Sequence, residues 1–340
     1  MSRLRNLHKS KVLQGILWLV PLAAVIYWAT TQQAPKWPDT QSEWAWLAGA
    51  LGAYAVVTLM RGERWHSILW TSRIEATRSD AYGLTVVGYA GNNVLPARGG
   101  ELLRVFLLSS RTDAKRRTVI GTILAERILD AIALGGILLV VAYDLIKKLG
   151  SPSPLLVLIG LVALGVMALA AAYAWWRHRH HAQRLLDAVL PILLPLKPLL
   201  SVKGLVLLVG SVLIWLVEAS VYGMVAESVG IHLGATGSMS VVAFANLAAL
   251  VPAAPGYIGT YDAAVIFATN AVTHAKVPVS FLILLRFVVF VPISIVGFAL
   301  LFLRYGGLSR LRAARQAGPE VPSLELPVVP VDGAPQGEPA

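Results

Sequence analysis

The sequence contains no cysteine, and this absence excludes disulfide bonds, thiolate metal sites and a cysteine nucleophile. Charged residues are also scarce, because they make up 14% of the 340 residues, whereas about 25% is usual in soluble domains. The chain has no nucleophile elbow, no phosphate-binding glycine loop and no His and Asp residues at metal-ligand spacing. We therefore predict that the protein is not an enzyme and that it uses no metal and no other cofactor.

Apolar residues dominate the composition, at 56% of the chain with a mean hydropathy of +0.68. The net charge of +11 could suggest nucleic acid binding, but the basic residues form no single tract and accompany no binding motif. They occur in short clusters between apolar segments, which is typical of membrane topology signals. We predict a membrane protein with no nucleic acid partner.

Six apolar segments are long enough to cross a membrane as helices. The predicted spans lie at about 12–30, 44–60, 118–141, 155–176, 204–226 and 279–303. Two more apolar segments, 82–108 and 239–272, are broken by proline and glycine, so each half is too short to cross a core of about 30 Å. We predict that both are re-entrant hairpins, the first entering from the cytoplasm and the second from outside.

The distribution of basic residues supports this topology. Of the 29 Lys and Arg residues, 21 fall in segments placed in the cytoplasm, including the loop 61–80 with Arg61 and Arg64, and four fall in outer segments. The remaining four lie within membrane segments: Arg98, Arg104, Arg127 and Arg286. This distribution predicts that both termini are cytoplasmic.

The two halves of the chain resemble each other. Each half consists of two spans, a hairpin and a third span, in that order. The first half begins on the cytoplasmic side of the membrane and the second begins on the outer side. We predict an all-α polytopic membrane protein of six transmembrane helices plus two re-entrant broken hairpins in an inverted repeat. The predicted divisions are a basic N-terminus at 1–11, one transmembrane domain at 12–303 with repeats at 12–141 and 155–303, and a basic stub with a disordered tail at 304–340.

The breaks in the two hairpins are the candidate binding site. A second half-helix that starts near Arg98 exposes unpaired N–H groups and a positive dipole end, so this tip suits an anion or a phosphate. The opposing tip lies at 255–257. The candidate substrate-binding residues are Asn92, Arg98, Glu101, Arg104, Arg127, Gly256, Tyr257, Asp262 and Arg286. The alternative is that the charged residues neutralise each other as structural ion pairs.

Three acids are candidates for proton or charge coupling: Glu126, Asp130 and Glu218. Glu218 stands alone in its predicted span, so it should either pair with an arginine or bind protons. Arg127 should pair with Asp130, one turn away, or with a hairpin acid such as Glu101.

The asparagines near the breaks have a simpler expected role. We expect Asn92, Asn93 and Asn246 to cap the broken helices, with ligand contact as the alternative.

Three motifs carry a resemblance to a known family: N-x₃-P-x-R-x-G-E at 92–101, ER-x₂-D at 126–130 and VPAAPGYIGTYD at 251–262. In this order they resemble the transmembrane domain of bacterial lysylphosphatidylglycerol synthases and its stand-alone, flippase-like relatives. The chain departs from the pattern at Asp262, where glutamate is usual, and at Tyr257, where glycine is usual. The chain ends soon after its last predicted span, so we expect no aminoacyl-transferring domain and no lysyl transfer.

The resemblance implies lipid translocation in the bacterial cytoplasmic (inner) membrane. We expect a flippase-like transporter that moves an anionic phospholipid or a polyprenyl-phosphate-linked lipid between leaflets. The alternative is an intramembrane enzyme, or a non-transporting partner, in lipid or cell-envelope glycolipid biosynthesis. The expected partners are the lipid substrate and a lipid-modifying enzyme.

Overall fold

The computed structural model describes residues 36–95, 98–148, 194–249, 255–274 and 277–307, together with Tyr27. These residues are mostly helical and no strand occurs among them, which confirms the predicted all-α class. Several predictions fall outside the described residues, namely the N-terminus 1–11, the spans at 12–30 and 155–176, and the tail beyond 307.

Eight α-helices and two 3-10 helices make up the described part of the chain. The α-helices are α1 (Gln41–Thr71), α2 (Arg78–Val94), α3 (Gly99–Ser109), α4 (Arg116–Lys148), α5 (Val202–Glu227), α6 (Gly234–Ala248), α7 (Thr260–Thr273) and α8 (Val279–Leu303). The 3-10 helices are Leu194–Leu200 and Pro255–Tyr257.

The first two helices begin at recognisable caps. At α1, Thr40 and Glu43 form a capping box, because the Glu43 N–H donates to Thr40 Oγ1 and the Thr40 N–H donates to Glu43 Oε2, each at 3.2 Å. At α2, the Asp80 N–H donates to Thr77 Oγ1 at 3.0 Å.

Three of the described helices, α1, α5 and α8, are long and apolar enough to cross a membrane. They contain the second, fifth and sixth predicted spans, and α8 has the predicted bounds. α4 contains the third predicted span, in which three residues are charged, Glu126, Arg127 and Asp130. α4 is not one of the three helices. The six-span topology as a whole stays a prediction.

α1 continues past its predicted end at Met60 as far as Thr71. The predicted loop 61–80 is therefore wrong at its start, because Arg61 and Arg64 lie within the helix and are buried. Carboxylates on other helices neutralise both side chains, so the charges do not end the helix. Without Arg61 and Arg64, the predicted cytoplasmic segments hold 19 basic residues and the predicted outer segments hold four. The excess of basic residues therefore stays on the predicted cytoplasmic side.

Each predicted hairpin consists of two helices separated by a break, α2 with α3 and α6 with α7. These helices have 17, 11, 15 and 14 residues, so at about 1.5 Å per residue each is shorter than a core of about 30 Å. Gly99 and Gly100, which the sequence places in the first break, are instead the first two residues of α3. The re-entrant paths stay predictions.

Gly100 allows α2 and α3 to approach closely. A Cβ at this position would lie 1.9 Å from the Gly88 carbonyl oxygen and 2.5 Å from the Asn92 backbone nitrogen. Both are backbone atoms of α2, so only glycine fits. This contact fixes the start of α3 against the end of α2.

Helix packing follows the predicted repeat. α1 packs against α5, and each of them also packs against the first helix of the hairpin that follows it. α2 packs on α3 as α6 packs on α7, and α8 packs on α2 as α4 packs on α6. Exchange of α1–α4 with α5–α8 therefore maps the α1–α5 contact onto itself and each of the other contacts onto its counterpart in the other half. The inverted orientation of the two halves stays a prediction.

The apolar side chains form two main clusters. The larger lies among α1, α4 and α5–α8 and contains Tyr222, Phe281 and Leu285. The other surrounds Trp65 and Leu107 where α1–α4 meet the end of α8. Large apolar side chains are also exposed on the outer faces of the long helices, as lipid surroundings require. The last helix, α8, contains Pro292 within its length.

Candidate functional site

A polar cavity lies between the breaks of the two hairpins, bordered by α1, α4, α5 and α8. Its volume is about 80 Å³. It is lined by Tyr54, Arg61, Tyr89, Asn92, Asn93, Arg98, Arg127, Asp130, Trp215, Glu218, Tyr222, Asn246, Ala249, Tyr257, Tyr261, Val289, Phe290 and Ile293. Most of these residues are charged, polar or aromatic, in contrast to the apolar helices around them. Ionisable residues in such a position are costly and mark a functional site.

Arg98 reaches the cavity from the N-cap position of α3. Its backbone is left-handed, with φ 57°, which is unusual for a residue other than glycine. Nη2 donates to the carbonyl oxygen of Ala249 at 2.8 Å, and thereby joins the first hairpin to the end of α6. Nη1 lies 3.5 Å from Glu101 Oε1, whereas the buried Nε has no hydrogen-bond partner among the described residues. The Nε–H of Arg98 is therefore an unused donor.

Arg98 is also the first member of a chain of seven charged side chains, in which arginines and carboxylates alternate. In order, the charge chain is Arg98, Glu101, Arg127, Asp130, Arg64, Glu126 and Arg104, with successive N–O distances of 3.5, 3.1, 3.2, 2.7, 3.8 and 2.6 Å. Its members come from α1, α3 and α4. Each carboxylate in the charge chain thus lies between two arginines.

The far end of the charge chain is closed. The Arg104 guanidinium lies 3.8 Å from the centre of the Trp65 ring, and both side chains are buried. Neither Arg104 nor Glu126 lines the cavity. The charge chain therefore opens to the cavity at its Arg98 end.

A separate ion pair, Arg61 with Glu218, lines the cavity and joins α1 to α5. The Arg61 guanidinium lies 5.1 Å from the centre of the Tyr89 ring and 5.2 Å from that of Trp215. Of the two alternatives expected for Glu218, pairing with an arginine is observed, and proton binding stays a prediction.

The second hairpin has an ion pair that corresponds to one in the first. Glu101 and Asp262 are the third residues of α3 and α7, and each pairs with an arginine of the next long helix. Arg127 meets Glu101 at 3.1 Å, which confirms its expected pairing, and Arg286 donates twice to Asp262, at 2.6 and 2.8 Å. Asp262 also accepts the Gly259 N–H at 2.8 Å. Aspartate is therefore long enough for this contact.

The tip of the second hairpin faces Arg98. Gly256 and Tyr257 both have left-handed backbones, with φ 63° and 55°. Arg286 Nη1 donates to the Gly256 carbonyl oxygen at 2.9 Å, which fixes the tip to α8. The Tyr257 ring centre lies 5.9 Å from the Arg98 guanidinium. Glycine adopts this φ freely, whereas tyrosine is strained there, so the ring is placed over Arg98 against a backbone preference.

The asparagines do not cap the broken helices, so that expectation is wrong. Arg98 occupies the N-cap position of α3, and Gly259 that of α7. Asn93 Nδ2 instead donates to Ser294 Oγ at 2.9 Å and so joins α2 to α8, while Asn246 Nδ2 donates to a carbonyl within α6. Asn92 is buried in the cavity wall and its Oδ1 accepts no hydrogen bond.

A comparison with protein families matches residues 12–297 to the lysylphosphatidylglycerol synthase TM region. The chain belongs to this family. Membership makes the protein an integral membrane protein with a lipid-related function. The matched residues include both hairpins and the charge chain. Searches of the curated proteins and of the solved structures gave no match.

The structure distributes the predicted site residues over the cavity and its supports. The predicted substrate-binding residues that line the cavity are Asn92, Arg98, Arg127 and Tyr257. Those that support its walls are Glu101, Gly256, Asp262 and Arg286, and the one that lies at the closed end of the charge chain is Arg104. Of the coupling candidates, Asp130 and Glu218 line the cavity and Glu126 does not.

Sequence reasoning missed two arginines of the site, Arg61 and Arg64, because they look like the start of a basic loop. A signal was present: Trp65, Ile68 and Leu69 continue the apolar spacing of one helix face beyond them, and all three are buried. Charged residues followed by such spacing belong to the helix.

Proposed function

We propose that the protein translocates an anionic lipid between the leaflets of the membrane, with the headgroup phosphate held between the tips of the two hairpins. In this proposal the hairpins enter from opposite sides in an inverted repeat, so their tips meet near the midplane. The acyl chains stay in the bilayer while the headgroup passes through the polar cavity. A phospholipid or a polyprenyl-phosphate-linked lipid fits this description.

The observation that carries the proposal is Arg98 at the start of α3. An arginine and a helix N-terminus both favour an anion, and here they share one position on the cavity wall. Among the described residues, the Nε of Arg98 and the buried Oδ1 of Asn92, which lines the same cavity, both lack a hydrogen-bond partner. A headgroup with a phosphate and a hydroxyl would satisfy both groups.

The size of the cavity indicates how a headgroup enters. A volume of about 80 Å³ holds a few water molecules and is well below the roughly 300–1,000 Å³ of most small-ligand pockets. The hairpin tips must therefore separate, and the contacts of Arg98 with the Ala249 carbonyl and the Tyr257 ring must break.

Phosphate can replace the Ala249 carbonyl as the partner of Arg98. A hydrogen bond from arginine to a phosphate pairs two opposite charges and is stronger than one from arginine to a neutral carbonyl, so an anionic headgroup compensates for the hydrogen bond that breaks when the tips separate. A neutral headgroup offers less compensation. In this mechanism the lipid that is moved is the one that favours the open arrangement.

Lipid exchange in reconstituted liposomes tests the proposal. Arg98→Ala should abolish exchange of labelled phosphatidylglycerol with a folded yield near that of the wild type, and Arg98→Lys should keep part of the activity because it retains the charge without the bidentate fork. Arg78→Ala, at an arginine whose side chain is 72% exposed, is the matched control. Normal exchange by a folded Arg98→Ala variant would contradict the proposal.

A further inference from the structure

The charge chain does not sum to zero. It contains four arginines and three carboxylates, Glu101, Glu126 and Asp130, so one positive charge is in excess. The two ion pairs nearby, Arg61 with Glu218 and Arg286 with Asp262, are each neutral. Arginine does not lose its proton in proteins, so the excess cannot disappear by titration of a guanidinium.

An excess charge inside a membrane domain is costly unless a counter-charge reaches it. The Arg104 end of the charge chain is sealed by the Trp65 ring, and both are buried. The Arg98 end borders the cavity and retains an unused, buried donor at Nε. The place for a counter-anion is therefore the cavity beside Arg98.

We propose that the site takes one net negative charge, so that the transported lipid is a phosphodiester whose headgroup carries no cation, rather than a zwitterionic lipid, a phosphomonoester or a diphosphate. Such a phosphodiester carries a single net charge, which equals the excess. A second charge on the headgroup would have to leave water without a matching excess among the described residues, and its desolvation would oppose binding. This inference rests on the proposed function and narrows its substrate class.

Three lipids of known headgroup charge provide the test in the same liposome assay. Phosphatidylglycerol is a phosphodiester with one charge, phosphatidic acid is a phosphomonoester, and phosphatidylcholine is zwitterionic. A phosphomonoester in water has a second pKa of about 6, so at pH 8 phosphatidic acid carries more than one negative charge. Because the other two headgroups do not match the excess charge, we expect the wild type to exchange phosphatidylglycerol about tenfold faster than either of them, which corresponds to about 1.4 kcal/mol.

Variants at the closed end separate net charge from direct contact, because Arg104 and Glu126 do not line the cavity. Arg104→Gln removes the excess charge, so the preference for phosphatidylglycerol over phosphatidylcholine should be lost. The double variant Arg104→Gln/Glu126→Gln restores an excess of one and should restore the preference. Glu101→Gln raises the excess to two and should shift the preference toward phosphatidic acid.

The outcomes distinguish this inference from the proposed function. If the wild type exchanges phosphatidic acid as fast as phosphatidylglycerol, the charge inference is wrong while lipid translocation stands. If no lipid is exchanged, the proposed function fails, and the stabilisation of the detergent-solubilised protein by each lipid then decides the charge inference. Thermal midpoints that rise equally with both anionic lipids overturn it. A double variant that behaves like folded Arg104→Gln also overturns it.

Discussion

The ion pair between Arg61 and Glu218 allows a quantitative test of how the two repeats are held together. The side chains come from α1 and α5, which pack against each other, and the two residues are only 5% and 3% exposed. Arg61→Leu leaves the Glu218 carboxylate buried without a counter-charge, which costs about 3–5 kcal/mol. Loss of the Arg61 interactions with two aromatic rings adds about 0.5–2 kcal/mol.

A double variant and a surface control make this prediction specific. Arg61→Leu/Glu218→Met removes both charges and should recover most of the lost stability, because apolar side chains can replace a buried ion pair at little cost. Arg78→Leu removes a pair with Glu63 in which Arg78 is 72% exposed, at an N–O distance of 3.4 Å. That change should cost at most about 1 kcal/mol.

The measurement is reversible unfolding in mixed micelles, with the free energy of unfolding obtained for the wild type and the three variants. The reasoning fails if Arg61→Leu destabilises no more than Arg78→Leu. It also fails if the double variant is as unstable as the single one, because Glu218 would then not be the source of the loss.

Two other predictions use the absence of cysteine. Single cysteines at exposed positions beside each hairpin test the topology: Glu75→Cys and Asp113→Cys flank the first hairpin, and Ala235→Cys and Ala271→Cys lie near the two ends of the second. A membrane-impermeant maleimide should label the first pair only from the cytoplasmic face and the second pair only from the outer face. If the two cysteines of either pair are labelled from opposite faces, that hairpin is not re-entrant. The second prediction is that the Tyr257 ring limits access to the cavity, which Asn246 also lines. Tyr257→Gly removes the ring and should increase the rate at which maleimide labels Asn246→Cys several-fold, whereas Tyr257→Phe keeps the ring and should not. Equal labelling rates in the two variants would show that the ring does not close the cavity.

The sequence was sufficient where local composition decides the structure. α8 is a long apolar segment with a single charged residue, Arg286, and its predicted and observed bounds agree. The correspondence of Glu101 with Asp262 could also be predicted, because each acid follows a hairpin break at a similar distance. Arg127 was expected to pair with Asp130, one turn away on the same helix, or with a hairpin acid such as Glu101, and both pairs are observed.

Contacts between distant segments could not be predicted in the same way. Arg61 and Glu218 are 157 positions apart, so no local pattern identifies the arginine that neutralises this acid. The end of α1 was misplaced for the same reason, because partners on α4 and α5 make its arginines acceptable inside a helix. The left-handed backbone of Arg98 likewise depends on the close packing of α3 against α2, which sequence composition does not encode.

Pro292 gives α8 a point of flexure between its attachments to the two hairpins. Proline has no N–H for the carbonyl of Val288, one turn earlier, so the helix bends there at low cost. Before this point Arg286 binds the second hairpin. Asn93 of the first hairpin donates to the Phe290 carbonyl before Pro292, at 3.3 Å, and to Ser294 Oγ after it, at 2.9 Å. A change of angle at Pro292 would therefore move Ser294 relative to Arg286 and the second hairpin, and the bifurcated contact of Asn93 would shift from one side of the proline to the other.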